Sequence, residues 1–157
     1  MDSVVIKILY TSAFNDLESA RKSQIAISQK EMELQMININ SNYSSFDNSY
    51  LNSLKKQSLK MEIMNLINTR NNYINSSMVY ALTIAENEMQ ENNTFSVATI
   101  VIGSISSFIS TVKNSFSISI VNSTSLSLLS NKLLHSGFHM FQLKRAIEEL
   151  KLACNVS

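Results

Sequence analysis

Two histidines stand four residues apart near the end of the chain, a spacing that places two metal ligands on one face of a helix. They are His135 and His139, and the first is followed by Ser136 and Gly137. A zinc hydrolase of this kind needs a glutamate directly after the first histidine as its general base. Cys154 is the only cysteine, so no cysteine pair adds ligands. We therefore expect no metal site and no cofactor.

Acidic residues form three short clusters, at 31–33, 86–91 and 148–149. A di-iron bundle carries Glu-x-x-His pairs that point inward, and this sequence contains none. The last cluster lies among lysines and an arginine at the spacings of surface ion pairs. Cys154 has no patterned histidine to activate it as a nucleophile. We expect no catalytic residue, no small-molecule substrate and no enzymatic activity.

The composition restricts the elements that could position any such residues. The chain has 157 residues, no proline and only two glycines. Sheet-rich and α/β folds use glycine in tight turns and phosphate-binding loops. The sequence therefore predicts an all-α fold, built as a bundle of long, antiparallel, coiled-coil-like helices in one domain, 1–157. With 13 basic and 12 acidic residues, the chain lacks the excess of positive charge that nucleic-acid binding requires.

Apolar residues at alternating steps of three and four mark the strongest helical pattern. An average step of 3.5 residues keeps one seam of a helix against a partner helix. The C-terminal seam consists of Leu126, Leu129, Leu133, Met140, Leu143, Ile147 and Leu150. A similar seam near the N-terminus contains Ala13, Leu17, Ala20 and Ile27. We predict that these eleven residues form helix interfaces, and that the two seams pair with each other.

Farther along the N-terminal helix, the regularly spaced apolar residues shift to a different face of the helix, which we call the second phase. Its members are Ile25, Met32, Met36 and Ile39. Such a change of phase indicates a helix whose contacts pass from one neighbour to another.

Serine- and asparagine-rich stretches supply the boundaries, since both residues favour turns and helix caps. The predicted helices are 3–39, 47–91, 94–121 and 124–153. A break near 70–76 stays open, because asparagine is dense there. The segment 38–52 is predicted as a loop. Extended backwards, the seam selects apolar residues between 98 and 112 but polar ones at 115, 119 and 122. A single helix through 94–153 and two helices joined near 122–124 are therefore both open.

The segment 94–121 has a further interpretation. Residues 94–112 form an uncharged stretch that is long enough to span a bilayer. Eight of these 19 residues, however, are serine or threonine. A helix buried in the bundle is the main prediction, and the alternatives are a membrane-inserting segment or a strand at 116–121. Residues predicted to contact a membrane or a partner are Phe95, Val97, Ile100, Val101, Ile105, Phe108, Ile109 and Val112.

Every positive signal therefore concerns helix association. We expect a non-enzymatic assembly protein that forms a homo-oligomer or binds a helical partner, such as a filament or appendage subunit of a bacterial or viral pathogen. The alternative is a secreted or viral, membrane-active or host-modulating bundle that inserts or docks through 95–121. The first ten residues lack the positive start of a cleaved signal peptide. We expect a cytoplasmic protein or one exported by another route.

Overall fold

The computed structural model describes residues 1–41, 49–91, 95–137 and 140–157. Within these ranges it contains five α-helices and no strand, so the predicted all-α fold is confirmed. The helices are α1 (Ser3–Ser41), α2 (Ser49–Glu91), α3 (Val97–Val112), α4 (Ile120–Leu133) and α5 (Phe141–Ala153). A short 3-10 turn, Lys113–Ser115, follows α3.

The two long helices α1 and α2 form an antiparallel hairpin. The Ser77 hydroxyl donates to the carbonyl oxygen of Ala13 at 2.7 Å. Farther along α1, the Lys30 ammonium lies 3.2 Å from a carboxylate oxygen of Glu62. Later residues of α1 therefore contact earlier residues of α2, as expected for an antiparallel pair. At ~1.5 Å per residue, the 39 residues of α1 span about 58 Å and the 43 residues of α2 about 65 Å.

The three short helices cover only one end of this hairpin. α3 packs against both α2 and α1, α5 packs against α3, and α4 packs against α5 and α2. The shared core draws on residues 13–20 of α1 and 74–85 of α2. We call this half the head. The other half, residues 25–41 of α1 and 49–66 of α2, adds nothing to that core, and we call it the distal hairpin.

All eleven predicted interface residues are buried. The C-terminal seam is divided between α4 and α5, which pack against each other, while α5 also packs against α3 and α4 against α2. The predicted pairing of the two chain ends is not the arrangement found, because the main neighbour of α1 is α2. The helices that cover the C-terminal seam therefore belong to the same chain.

Several predicted boundaries differ from the structure. The predicted helix 94–121 is divided, since α3 ends at Val112 and α4 starts at Ile120. Ser119 causes the restart, because its hydroxyl accepts from the Asn122 backbone N–H at 3.2 Å and caps α4. The predicted helix 124–153 is divided after Leu133, so 94–153 is not a single helix.

Two further predictions fall around the asparagine-rich stretches. α2 runs through 70–76 without a break. The predicted loop 38–52 is helical at 38–41 and at 49–52, and its central residues 42–48 lie outside the described residues. The strand alternative for 116–121 is not found either, since 116–119 is neither helix nor strand and α4 begins at Ile120.

Truncating Leu143 should test the core. Leu143→Ala removes a side chain that is buried in the head, so we expect the free energy of unfolding to fall by about 2–5 kcal/mol in urea titrations. Leu152 is the matched control, because it lies on the same helix and is exposed. Leu152→Ala should change the value by less than about 0.5 kcal/mol. Equal losses for the two variants would contradict the assigned orientation of α5.

Candidate functional site

The residues whose types could support chemistry lie apart from one another. His135 is exposed in the turn that follows α4, and His139 lies outside the described residues. Glu148 accepts a hydrogen bond from the Ser130 hydroxyl. Burial raises the pKa of the Cys154 thiol to about 12, which disfavours the nucleophilic thiolate at neutral pH. Among the residues that the structure describes, no group of three His, Cys, Asp or Glu side chains could hold a metal ion.

The most elaborate polar arrangement lies in the middle of α2, around Arg70. This arginine is only 1% exposed. Its Nη1 donates to Gln24 Oε1 of α1 at 2.6 Å, and its Nη2 donates to the Ser115 carbonyl oxygen at 2.7 Å. Asn71 Oδ1 accepts from Nε and Nη2 at 3.1 and 2.9 Å. One guanidinium therefore joins α1, α2 and the turn after α3.

The acceptors of Arg70 are neutral, so its charge is balanced only at a distance. Burial lowers the pKa of Arg70, and the negative charge of Glu31 acts in the opposite direction. Burying a charge is costly unless the charge is paired and hydrogen-bonded, and Arg70 has the hydrogen bonds but only a distant opposite charge. We infer that the cluster has a structural role, since it fixes the position of the chain after α3.

Asn71 and Asn75 extend this arrangement along α2. Asn71 Nδ2 donates to the Ser115 carbonyl oxygen at 2.9 Å, and Asn75 Nδ2 donates to that of Ser117 at 3.1 Å. The Ser119 backbone N–H donates to Asn75 Oδ1 at 2.8 Å. Arg70, Asn71 and Asn75, which we call the clamp, thus bond the backbone of residues 115–119, the segment between α3 and α4.

The asparagines of the clamp were a misleading signal in the sequence. Asparagine competes with helical hydrogen bonds through its own backbone, so 70–76 was open to interpretation as a break in α2. In the structure these side chains instead bond a segment about 45 residues later in the chain. The spacing of Asn71 and Asn75, one helical turn apart, is the signal that could have indicated a shared face.

Glu88 has a role that its sequence context did not indicate. It is buried near the end of α2, and its Oε1 accepts from the backbone N–H groups of Val97 and Ala98 at 2.6 and 3.1 Å. Its Oε2 accepts from the Ser96 hydroxyl at 2.7 Å. A carboxylate at a helix N-terminus satisfies free N–H groups and complements the helix dipole. Glu88 therefore fixes the start of α3, and the clamp fixes the segment after its end.

The predicted membrane or partner contacts on α3 divide into two groups. Phe95 and Ile100 are exposed and Val97 is half-buried, whereas the remaining five are buried in the head. The buried five are Val101, Ile105, Phe108, Ile109 and Val112. One helical stretch in the described residues, Val97–Ser115, is long and apolar enough to cross a membrane, and 44% of its apolar window is buried within the protein.

The distal hairpin carries an apolar stripe that no described part of the chain covers. Its members are the second-phase residues of α1, namely Ile25, Met32, Met36 and Ile39, and they are between 53% and 65% exposed. At ~100° per residue the four lie within about 60° of one another and about 180° from Leu34. Leu34 is half-buried and Ile27 is buried, so α1 presents one apolar face to α2 and another outward. We call the outward face the α1 stripe.

α2 has a corresponding outward face in the same region. Tyr50, Leu54, Met61 and Met64 are between 46% and 71% exposed. They lie within about 80° of one another, opposite the buried Leu59. We call these four residues the α2 stripe. The two stripes point away from each other, because α1 and α2 pack against each other through the faces opposite the stripes.

Comparisons with known proteins add no assignment. No protein-family model matches the sequence, and searches of curated proteins and of solved structures found no match. Exposed apolar side chains also occur in the head, at Val4, Ile8 and Phe95 among others. We take the two stripes as the candidate functional site, since each extends along one face of a long helix that the described helices leave uncovered.

The clamp can be tested at Asn75. Asn75→Ala would leave the Ser119 N–H, the Ser117 carbonyl and the amide of the buried Asn122 without their partner side chain. We expect the free energy of unfolding to fall by about 1–3 kcal/mol, with faster amide exchange at Ser119. Asn72→Ala is the matched control because Asn72 is exposed on the same helix. If both variants behaved alike, Asn75 would not hold this segment.

Proposed function

We propose that this chain is a non-enzymatic helical assembly protein that self-associates through its distal hairpin. One observation carries the proposal: the α1 stripe extends over about four turns of one helical face, with the polar Ser28 and Gln29 between Ile25 and Met32, and is not covered by any described part of the chain. Large apolar side chains that repeat along one helical face are typical of a helix that packs on another helix. An exposed contiguous apolar patch on a soluble protein marks an interaction surface.

The seams predicted from the sequence do not serve this role, since they are covered within the chain. Leu126, Leu143, Ile147 and the other predicted interface residues are buried. Association through the C-terminal seam would require the head to open and would lose about 1.5–3 kcal/mol for each large apolar side chain exposed. The stripes need no such opening. The proposed interface therefore moves from the two chain ends to the distal hairpin.

The strength of a single contact depends on its size. Burying a half-exposed Ile, Leu or Met contributes roughly 1 kcal/mol, so two stripes of four residues supply on the order of 8 kcal/mol. Association costs about 4–15 kcal/mol in lost freedom. Each contact is therefore weak, and we expect self-association that increases with protein concentration rather than a tight dimer.

Replacing two stripe residues with aspartate should abolish self-association. For the wild-type chain, light scattering during size-exclusion chromatography should give a mass that rises with concentration. For Met32→Asp with Met36→Asp, the mass should stay at the 17.6 kDa of one chain, because a charge in an apolar contact is costly to desolvate. Circular dichroism checks that the helices remain.

Ile120→Asp with Leu152→Asp is the matched control. Both residues are exposed outside the distal hairpin, so this variant adds the same charge and loses the same kind of side chain. It should self-associate like the wild type. A wild-type mass of 17.6 kDa at every concentration would contradict the proposal.

The second candidate function is membrane insertion through 95–121, which the length and apolar character of Val97–Ser115 favour. Insertion would have to remove Val101, Ile105 and Ile109 from the core of the head. Sedimentation with vesicles of anionic and neutral lipid separates the two functions. Assembly predicts that the chain stays in the supernatant with α3 protected from amide exchange. Insertion predicts that the chain pellets and that α3 loses its protection.

A further inference from the structure

The two stripes of the distal hairpin match each other in length and in position along the hairpin. The α1 stripe runs from Ile25 to Ile39 and the α2 stripe from Tyr50 to Met64, so each covers about 21 Å. The Lys30–Glu62 ion pair joins the two helices within this region. Each stripe is therefore available as a partner surface for the other, but the two cannot meet within one chain because they point in opposite directions.

The charges of the distal hairpin favour contact between unlike stripes. Residues 25–41 of α1 carry one lysine and two glutamates, and residues 49–66 of α2 carry three lysines and one glutamate. Glu33 directly follows Met32 and lies 3.9 Å from Lys30 of its own helix, and Lys60 directly precedes Met61. One residue is a rotation of ~100°, so these opposite charges lie at the edges of the two stripes. Contact between two α1 stripes or two α2 stripes would bring like net charges together.

We infer that the α1 stripe of one copy packs against the α2 stripe of the next copy, so that the chain assembles as an open row of hairpins. This inference rests on the proposed function, and it names the partner as a second copy of this chain. A contact between two different surfaces does not close on itself unless its rotation returns to the start. Because the stripes lie on opposite sides of the hairpin, each added copy uses one stripe and leaves its other stripe uncovered for the next copy.

The row repeats a packing that the chain already contains. Copies that point the same way place α1 of one hairpin antiparallel to α2 of the next, as α1 and α2 are within a copy. α3 contacts both α1 and α2, and α4 contacts α2 in the head, through Asn75 and Glu86, so neither helix covers the outward sides of the distal hairpin. The row is therefore a single layer of helices in which α1 and α2 alternate and neighbouring helices are antiparallel. Each α1–α2 pair carries its head at one end.

A mixing experiment tests the inference. The α1-stripe variant is Met32→Asp with Met36→Asp, and the α2-stripe variant is Leu54→Asp with Met61→Asp. Both are studied by sedimentation velocity at a concentration where the wild type exceeds the mass of a dimer. Each variant alone should sediment as a single chain. Their equimolar mixture should form a 1:1 dimer of twice that mass and nothing longer, since each dimer has one intact contact and two blocked ends.

Other outcomes overturn the inference in distinct ways. An α2-stripe variant that still dimerises alone would show that α1 stripes pair with each other. An α1-stripe variant that still associates alone would show that the α1 stripe is not needed. A mixture that stays monomeric would show that unlike stripes do not bind. A monomeric wild type would instead overturn the proposed function itself. Met32→Gln with Met36→Gln and Leu54→Gln with Met61→Gln repeat the test if an aspartate variant loses helicity.

Discussion

A charged side chain and two amides in the middle of α2 set the boundary between the two halves of this molecule. Arg70, Asn71 and Asn75 hold the backbone of residues 115–119 where it leaves the helical state. Without such partners those backbone groups would be unsatisfied, at a cost of about 1–3 kcal/mol each. The clamp thus allows the chain to turn after α3 and to restart as α4. Glu88 fixes the other end of α3 in the same way.

This boundary explains why the described short helices leave half of the hairpin uncovered. α3, α4 and α5 contain 16, 14 and 13 residues, so each spans about 20–24 Å, against about 60 Å for the helices they cover. The clamp places them over the part of α2 that follows Arg70. Among the described helices, the part before it packs on α1, and both helices there keep an apolar outward face. The proposed assembly follows from this mismatch in length, since three short helices cannot cover both apolar faces of both long ones.

The features that could be predicted from the sequence are those that depend only on the spacing of apolar residues along one helix. Leu126, Leu143 and Ile147 are buried because a step of three or four residues fixes their common face whatever covers it. The second phase at Ile25 and Met32 was visible for the same reason. The turn at 113–119 was predicted too late in the chain, at 122–123, because 113–119 contains neither proline nor glycine and its partners lie about 45 residues earlier. Pattern alone also cannot tell whether a seam is covered by its own chain or by a neighbour.

Amide hydrogen exchange of the wild-type chain at low and high concentration is the sharpest test of assembly through the distal hairpin, because it locates the contact as well as detecting it. Self-association through the two stripes predicts slower exchange at high concentration within 25–41 and 49–66, with the head unchanged. Exchange that is independent of concentration throughout the chain, or extra protection confined to the head, would contradict this assembly.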